Sequence, residues 1–363
     1  MKITFVLPTV GMSGGIKVVA IYAKMLADKG HEVTLVSPPA QQPKLINKVK
    51  SLLKGKGWLK PKSTKSHIDG LGLNHHVLET YRPVTNKDVP DADVVVASWW
   101  ETAEWVHALH PSKGAKVYFI QHHEVFDFLP VERAAATYRL PMHKVVIAQW
   151  LLDIMHHEYG ESDVDLVPNS VDKQQFFAEP RGKQPVPTIG FLFAYAGFKG
   201  VDVTLKAIQK LKQSVPNLRV ISFGAFMPDT FPEWDNSIEF YLSPAQNHIR
   251  NLYAQCDVWM TASRTEGFNL PAMEAMACRT PIVSTKAGWP MEAIHSYENG
   301  VLTEVDDVDA LAKGAEWVLS LSDSDWKKLS FKVYDTLAES SWEHSTMLFE
   351  QALQHAIDKS KQH

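Results

Sequence analysis

Lys2-Ile3-Thr4-Phe5-Val6-Leu7, the loop Gly11-Met12-Ser13-Gly14-Gly15, the stretch Ile16 to Lys29 and the run Glu32 to Val36 together decide the fold. The first piece is a short apolar strand. The second frees the backbone for a tight reversal, because glycine carries no Cβ. In the third, Val18, Val19, Tyr22, Ala23, Leu26 and Ala27 fall on one helical face, and Gly30 closes the helix. The fourth is the next strand. A strand–loop–helix–strand unit of this kind opens a parallel, doubly wound sheet.

The pattern continues outward from that unit. Asp93 to Ala97, Ala115 to Gln121, Lys144 to Ala148 and Asp165 to Val167 are short and rich in β-branched residues, as strands buried on both faces are. A polar, proline-rich connection follows over 179–187. A second series then begins: strand Thr188 to Phe193, helix Val201 to Lys212, and strands Leu218 to Phe223, Ile238 to Tyr241, Val258 to Thr261 and Pro281 to Ser284. The same architecture appears twice without a repeated sequence. The boundary is placed near Pro168 to Lys183. The expected organisation is one Rossmann-like lobe over 1–168, a second over 169–340, and a tail over 341–363 whose helix, Trp342 to Ile357, crosses back to the first lobe.

Bulk properties narrow the class. A chain of 363 residues suits two domains, and 45% hydrophobic with 21% charged residues excludes disordered and fibrous chains. No apolar run approaches the ~20 residues of a bilayer span, and the opening apolar stretch is too short for a signal peptide. The two cysteines, Cys256 and Cys278, have no metal-ligand spacing, so a reducing, cytoplasmic setting is expected.

The segment richest in chemistry is Ser263-Arg264-Thr265-Glu266-Gly267-Phe268-Asn269-Leu270-Pro271-Ala272-Met273-Glu274-Ala275-Met276-Ala277. Glu266 falls in the loop after a strand. Glu274 falls inside a helix that starts near Leu270 or Pro271, since proline is favoured in a first helical turn. The amides of Phe268, Asn269 and Leu270 sit at that helix start, where free N–H groups attract an anion. A solvated surface helix would carry more than one polar residue among Ala272, Met273, Ala275, Met276 and Ala277.

With this motif the chain resembles the retaining glycosyltransferases of family 4, over nearly its whole length. Glu266 and Glu274 match the family's paired glutamates with seven residues between them. Pro168-Asn169-Ser170-Val171-Asp172 is similar to its interdomain element, Phe198-Lys199-Gly200-Val201-Asp202 to its Lys-Gly element, and Gly14-Gly15 to its glycine loop. The resemblance implies an α/β GT-B fold, two Rossmann-like lobes with parallel sheets facing a central cleft.

It also implies roles. Glu266 would hold the donor sugar's hydroxyls, Glu274 the ribose, and Lys199 the diphosphate. His122, directly after a strand, would touch the donor sugar near the reacting carbon. The alternative for His122 and His123 is a pair that caps the strand or binds backbone carbonyls. Gly14 and Gly15 would let a diphosphate or an acceptor approach the backbone, or serve only as a tight turn. The family places an arginine after the glycine of the strand Thr188 to Phe193, where this chain reads Gly190-Phe191. Either the charge is supplied elsewhere, with Arg264 the nearest candidate in sequence, or backbone amides carry more of the load; Arg264 equally suits a surface carboxylate. No metal ligand set and no cofactor is expected. Asp91-Ala92-Asp93 precedes a strand and reads as a turn.

The implied activity is retaining transfer of a hexosyl or deoxyhexosyl group from a nucleoside-diphosphate sugar to a hydroxyl acceptor, a cell-surface glycan or lipid-linked precursor, without an essential metal. Rivals are a sugar-nucleotide epimerase or hydrolase on the same fold, and a non-catalytic nucleotide-sugar-binding protein. Residues 44–65 hold eight lysines and no acid, and the remainder has 29 basic residues against 41 acidic, a balance of −12. This local patch excludes general nucleic-acid binding. Leu45, Ile46, Val49, Leu52 and Leu53 at helical spacing beside the lysines, followed by Trp58, suit either peripheral docking on an anionic inner membrane face or a helix packed on the sheet with its lysines in solvent.

Overall fold

The structure, a computed structural model, describes residues 1–40 and 65–362. The basic segment, apart from Lys65, lies outside the described residues, and so do both readings of it. The chain forms two compact units: Met1–Ile147 with Leu151–Pro168 and Glu343–His363, and Ala148–Trp150 with Asn169–Trp342.

The first unit is built on seven strands: β1 (Lys2–Val6), β2 (Glu32–Ser37), β3 (Asn74–Val77), β4 (Val94–Ala97), β5 (Ala115–Ile120), β6 (His143–Val146) and β7 (Val164–Leu166). They are all parallel, in the order β3-β2-β1-β4-β5-β6-β7. Inner strands are apolar end to end because helices cover both faces; Val94, Val95, Val96 and Ala97 are fully buried. The helix Gly14–Asp28 returns from β1 to β2, buries Ile16, Val19, Tyr22, Ala23 and Leu26, and stops where Gly30 takes φ +92°. The C-terminal helix Trp342–Ser360 belongs to this unit. Its Phe349 is fully buried, with ring centroids 4.6 Å from Tyr22 and 4.9 Å from Phe119.

The second unit has β8 (Thr188–Phe193), β9 (Arg219–Gly224), β10 (Glu239–Leu242), β11 (Val258–Thr261), β12 (Ile282–Thr285) and β13 (Val301–Thr303). They too are parallel, in the order β10-β9-β8-β11-β12-β13. The strand order therefore reverses between β1 and β4 in the first sheet and between β8 and β11 in the second. Loops leaving the C-terminal ends of strands at such a reversal diverge and leave a crevice that binds ligands. Among the described residues no helix is long and apolar enough to cross a membrane.

The register corrects one expectation. Phe191 lies inside β8, opposite Met260 and Ser222, is 1% exposed and packs near Trp234. It is a core position of the strand and not a site for a ligand-facing cation. A Cβ on the preceding Gly190 would meet the Trp259 ring at 2.4 Å, which explains that glycine by packing. The strand's C-terminal end is Phe193, and Lys199 is the first cation after it.

Candidate active site

The loops after β8 and β11 bring Lys199 and Glu266 together. Lys199 ends the short turn Gly197–Lys199, and Gly200 follows with φ +61°. A Cβ at position 200 would lie 1.9 Å from the Ala262 carbonyl oxygen, so only glycine lets the two loops touch. Lys199 Nζ then donates to Glu266 Oε1 at 2.6 Å, and Ser263 Oγ donates to the same oxygen at 2.7 Å. Both bonds fall on Oε1. Among the described residues, Oε2 takes no hydrogen bond. One of the three ammonium protons is used, which leaves two for another acceptor. The Glu266 side chain is 9% exposed and that of Lys199 24%. Thr261, Ser263, Asn269 and Pro271 line the same pocket with this pair.

The glutamate helix, Leu270–Ala277, begins at Asn269, whose backbone is left-handed (φ 76°, ψ 57°) and whose side chain donates to Thr261 Oγ1 at 3.0 Å. The Asn269 side chain is thus turned away from capping its own helix, and no acid sits in the first turn. Among the described residues, no hydrogen bond occupies the Phe268 or Asn269 amide, and the first helical amide, at Leu270, has no carbonyl one turn back inside the helix. The loop is braced from the far side. Trp289 N donates to the Phe268 carbonyl at 2.9 Å, their rings stack at 5.6 Å, and Gly288, at φ +70°, leaves room for the Glu266 Cβ.

Glu274 lies four residues along the helix, 8% exposed. Its carboxylate accepts from the buried Tyr253 hydroxyl at 3.0 Å. Burial, reinforced by the Glu274 charge, holds the Tyr253 hydroxyl protonated far above its ordinary range. Tyr253 thus positions Glu274 as a standing donor.

Of the two readings of Arg264, the structure shows the pairing with carboxylates. Its guanidinium donates to both oxygens of Asp202 at 3.0 and 2.8 Å, to Asp306 at 2.7 Å, and to the Gly197 carbonyl. It ties the turn that carries Lys199 to the loop that carries Glu266. The hydrogen bond from Arg264 holds the Asp202 carboxyl below the usual carboxylate range.

His122, Gly14 and Gly15 lie in the first unit. Ser13 caps the helix that Gly14 opens, and a Cβ on Gly15 would stand 3.5 Å from the Gln121 side chain. His122 Nδ1 lies 3.0 Å from the His123 carbonyl oxygen. Behind it is a buried network that sequence reasoning missed. Tyr138 Oη accepts from the Glu124 amide and donates to the His122 carbonyl, and Glu124 accepts from the Trp100 amide at 2.7 Å. Ser263, Tyr253 and Glu124 were invisible because only the folded chain shows which neighbours a serine, tyrosine or buried glutamate will find.

Residues 172–330 match the family model described as glycosyl transferases group 1. Across 99% of this chain and 100% of the other, the backbone superposes on sucrose-phosphate synthase from Thermosynechococcus elongatus with a TM-score of 0.76 at 15% identity. Anabaena HepE, solved with UDP and glucose, gives 0.72 at 16% identity over 98% of this chain and 99% of that one. The fold is GT-B. Among curated relatives, D-inositol 3-phosphate glycosyltransferase of Mycolicibacterium smegmatis is 26% identical over 227 residues, 57% of this chain and 50% of that protein. A glycosyltransferase of Haemophilus influenzae is 27% identical over 161 residues, 42% of this chain and 44% of that protein. The chain thus spans half or less of the length of these curated relatives. The GT-B arrangement accounts for two parallel sheets in one chain, and the match to group 1 covers the segment that carries Lys199, Glu266 and Glu274.

Proposed function

We propose that this chain is a retaining glycosyltransferase that takes a sugar from a nucleoside-diphosphate sugar and passes it to a hydroxyl acceptor. The observation that carries the proposal is the Lys199–Glu266 pair, held at the switch point of the second sheet beside open loop amides. A sugar diphosphate matches those groups. Its hydroxyls can donate to Glu266 Oε2, its phosphate oxygens can accept from Lys199 and from the amides of Phe268, Asn269 and Leu270, and its ribose can meet Glu274. That Anabaena HepE was solved with UDP-glucose lends support to such a donor.

In the proposed reaction the bond from the sugar's anomeric carbon to the diphosphate oxygen breaks, and its electron pair leaves with the diphosphate. The acceptor oxygen bonds to the same face of that carbon, and its proton passes to the departing phosphate. Charge builds on the leaving group, where Lys199 and preorganised amides stabilise it without an essential metal. Lys199 can bind the phosphate with its two remaining ammonium protons while keeping its contact with Glu266. His122, in the first unit, is proposed to raise turnover without contributing to nucleotide affinity. The acceptor is proposed to be a glycan or lipid-linked precursor, and the setting cytoplasmic or peripheral to a membrane.

A thermal-shift screen of the full chain across nucleoside diphosphates and their sugars identifies the donor, since a ligand of the folded form raises the melting temperature. Product analysis with that donor then tests the reaction. Transfer to an added acceptor, lowered at least tenfold by Lys199→Ala and by Glu266→Ala, is expected. Conversion of donor in the absence of acceptor would indicate an epimerase or hydrolase, and binding without turnover a carrier; either result refutes the transferase reading.

A further inference from the structure

Away from Lys199 and Glu266, the first unit gathers His143, Asp163, Asp165 and His355 where the C-terminal helix packs on β6 and the edge strand β7. One ligand atom from each of His143, Asp163 and His355 lies within 4.8 Å of the others. His143 Nδ1 is 4.0 Å from Asp163, and His355 Nε2 is 3.7 Å from it. The opposite nitrogens face a different carboxylate: His143 Nε2 and His355 Nδ1 lie 2.8 and 3.2 Å from the same oxygen of Asp165. If each imidazole donates its one proton to Asp165, His143 Nδ1 and His355 Nε2 both present lone pairs toward Asp163. His143 is 6% exposed, and its Nδ1 is a buried nitrogen with no hydrogen-bond partner. Two lone pairs aimed at a carboxylate call for a cation beside them, and in the structure the Lys359 ammonium, paired with Asp163, is that cation.

We propose that His143, Asp163 and His355 bind a divalent transition-metal ion that fastens the C-terminal helix to the edge of the first sheet. Two imidazoles and a carboxylate are the donor set of zinc and its first-row neighbours. Ligand atoms of a tetrahedral zinc stand roughly 3.4 Å apart, so small side-chain rotations close this cluster onto an ion. Asp165 is the outer carboxylate that orients both rings, as metal-bound histidines commonly have. Lys359, which pairs with Asp163, is the intrinsic competitor that the ion displaces. The expectation of no metal ligands came from local spacing. Residues 143, 163 and 355 are too widely separated in sequence for that reading to find.

The test is calorimetric titration of zinc into the untagged full-length chain at pH 7.5, after chelator treatment, with melting temperature as a second readout. One zinc per chain is expected, with a rise in melting temperature. His355→Ala removes a half-exposed ligand, so the chain should stay folded and bind at least tenfold more weakly, with no thermal shift. Asp165→Asn should weaken binding by about tenfold through ring orientation. Absence of saturable binding near one equivalent, or equal binding by His355→Ala, overturns the proposal; the 16 histidines of the chain make that variant the necessary control.

Discussion

Glu266 is the residue on which the proposed chemistry turns, and its two oxygens have different circumstances. Oε1 accepts from Lys199 and Ser263, while Oε2 takes no bond among the described residues. The paired glutamates stood out in sequence because a lone acid in an apolar helix has few structural uses, whereas Lys199 was singled out only through the family resemblance. The left-handed Asn269 was not legible, since asparagine tolerates that conformation without requiring it, and its side-chain bond to Thr261 appears only in the fold. Arg264 stood undecided because its partners come from distant elements, Asp202 from the first turn of the helix Val201–Ser214 and Asp306 from a loop. Asp202→Asn is expected to lower the melting temperature at neutral pH by loosening the Lys199 turn. The sign with pH follows from the depressed carboxyl. Its stabilisation is complete above the unfolded value and is lost as pH falls through the lower folded value. The difference between wild type and Asp202→Asn should therefore be constant from pH 8 to 5 and shrink below the ordinary carboxylate range.

Elements place these residues through close backbone contacts. Gly200 permits the approach of the β8 and β11 loops, and Gly200→Ala combines a left-handed strain with a 1.9 Å collision. Denaturant unfolding should show a loss of roughly 2–4 kcal/mol, within the range of strain at special backbone positions. In the first unit Glu124 receives the first amide of the helix Trp100–His107 while 3% exposed. Burial outweighs its hydrogen bonds from Trp100 and Tyr118 and pushes its carboxyl well above the ordinary range. A raised acid keeps a proton in the folded state that the unfolded chain has released, so it costs stability as pH rises toward the folded value. Glu124→Gln should match wild type near pH 4 and melt higher than wild type at pH 8. The apolar strands of both sheets were readable from composition. β3, Asn74-His75-His76-Val77, was missed because an edge strand need not be apolar, and the short edge strand β13, Val301–Thr303, was missed as well.

At the scale of the whole molecule, one chain builds two doubly wound sheets, and its last helix completes the first. That helix contributes Phe349, Leu353 and Ala352 to the core of the first unit. Phe349→Ala is expected to cost about 3–5 kcal/mol in chemical denaturation, the penalty of an aromatic cavity. Similarity to glycosyl transferases group 1 covers the segment in which the sequence carries the paired glutamates, while the GT-B architecture extends across the chain. The direct measurement is the affinity of the full chain for the nucleoside diphosphate and the matching sugar nucleotide selected by the thermal screen. Lys199→Ala is expected to weaken both ligands at least tenfold, whereas Glu266→Ala should weaken the sugar nucleotide but leave the bare diphosphate within about twofold. Unchanged affinity for the sugar nucleotide in both variants would contradict that expectation.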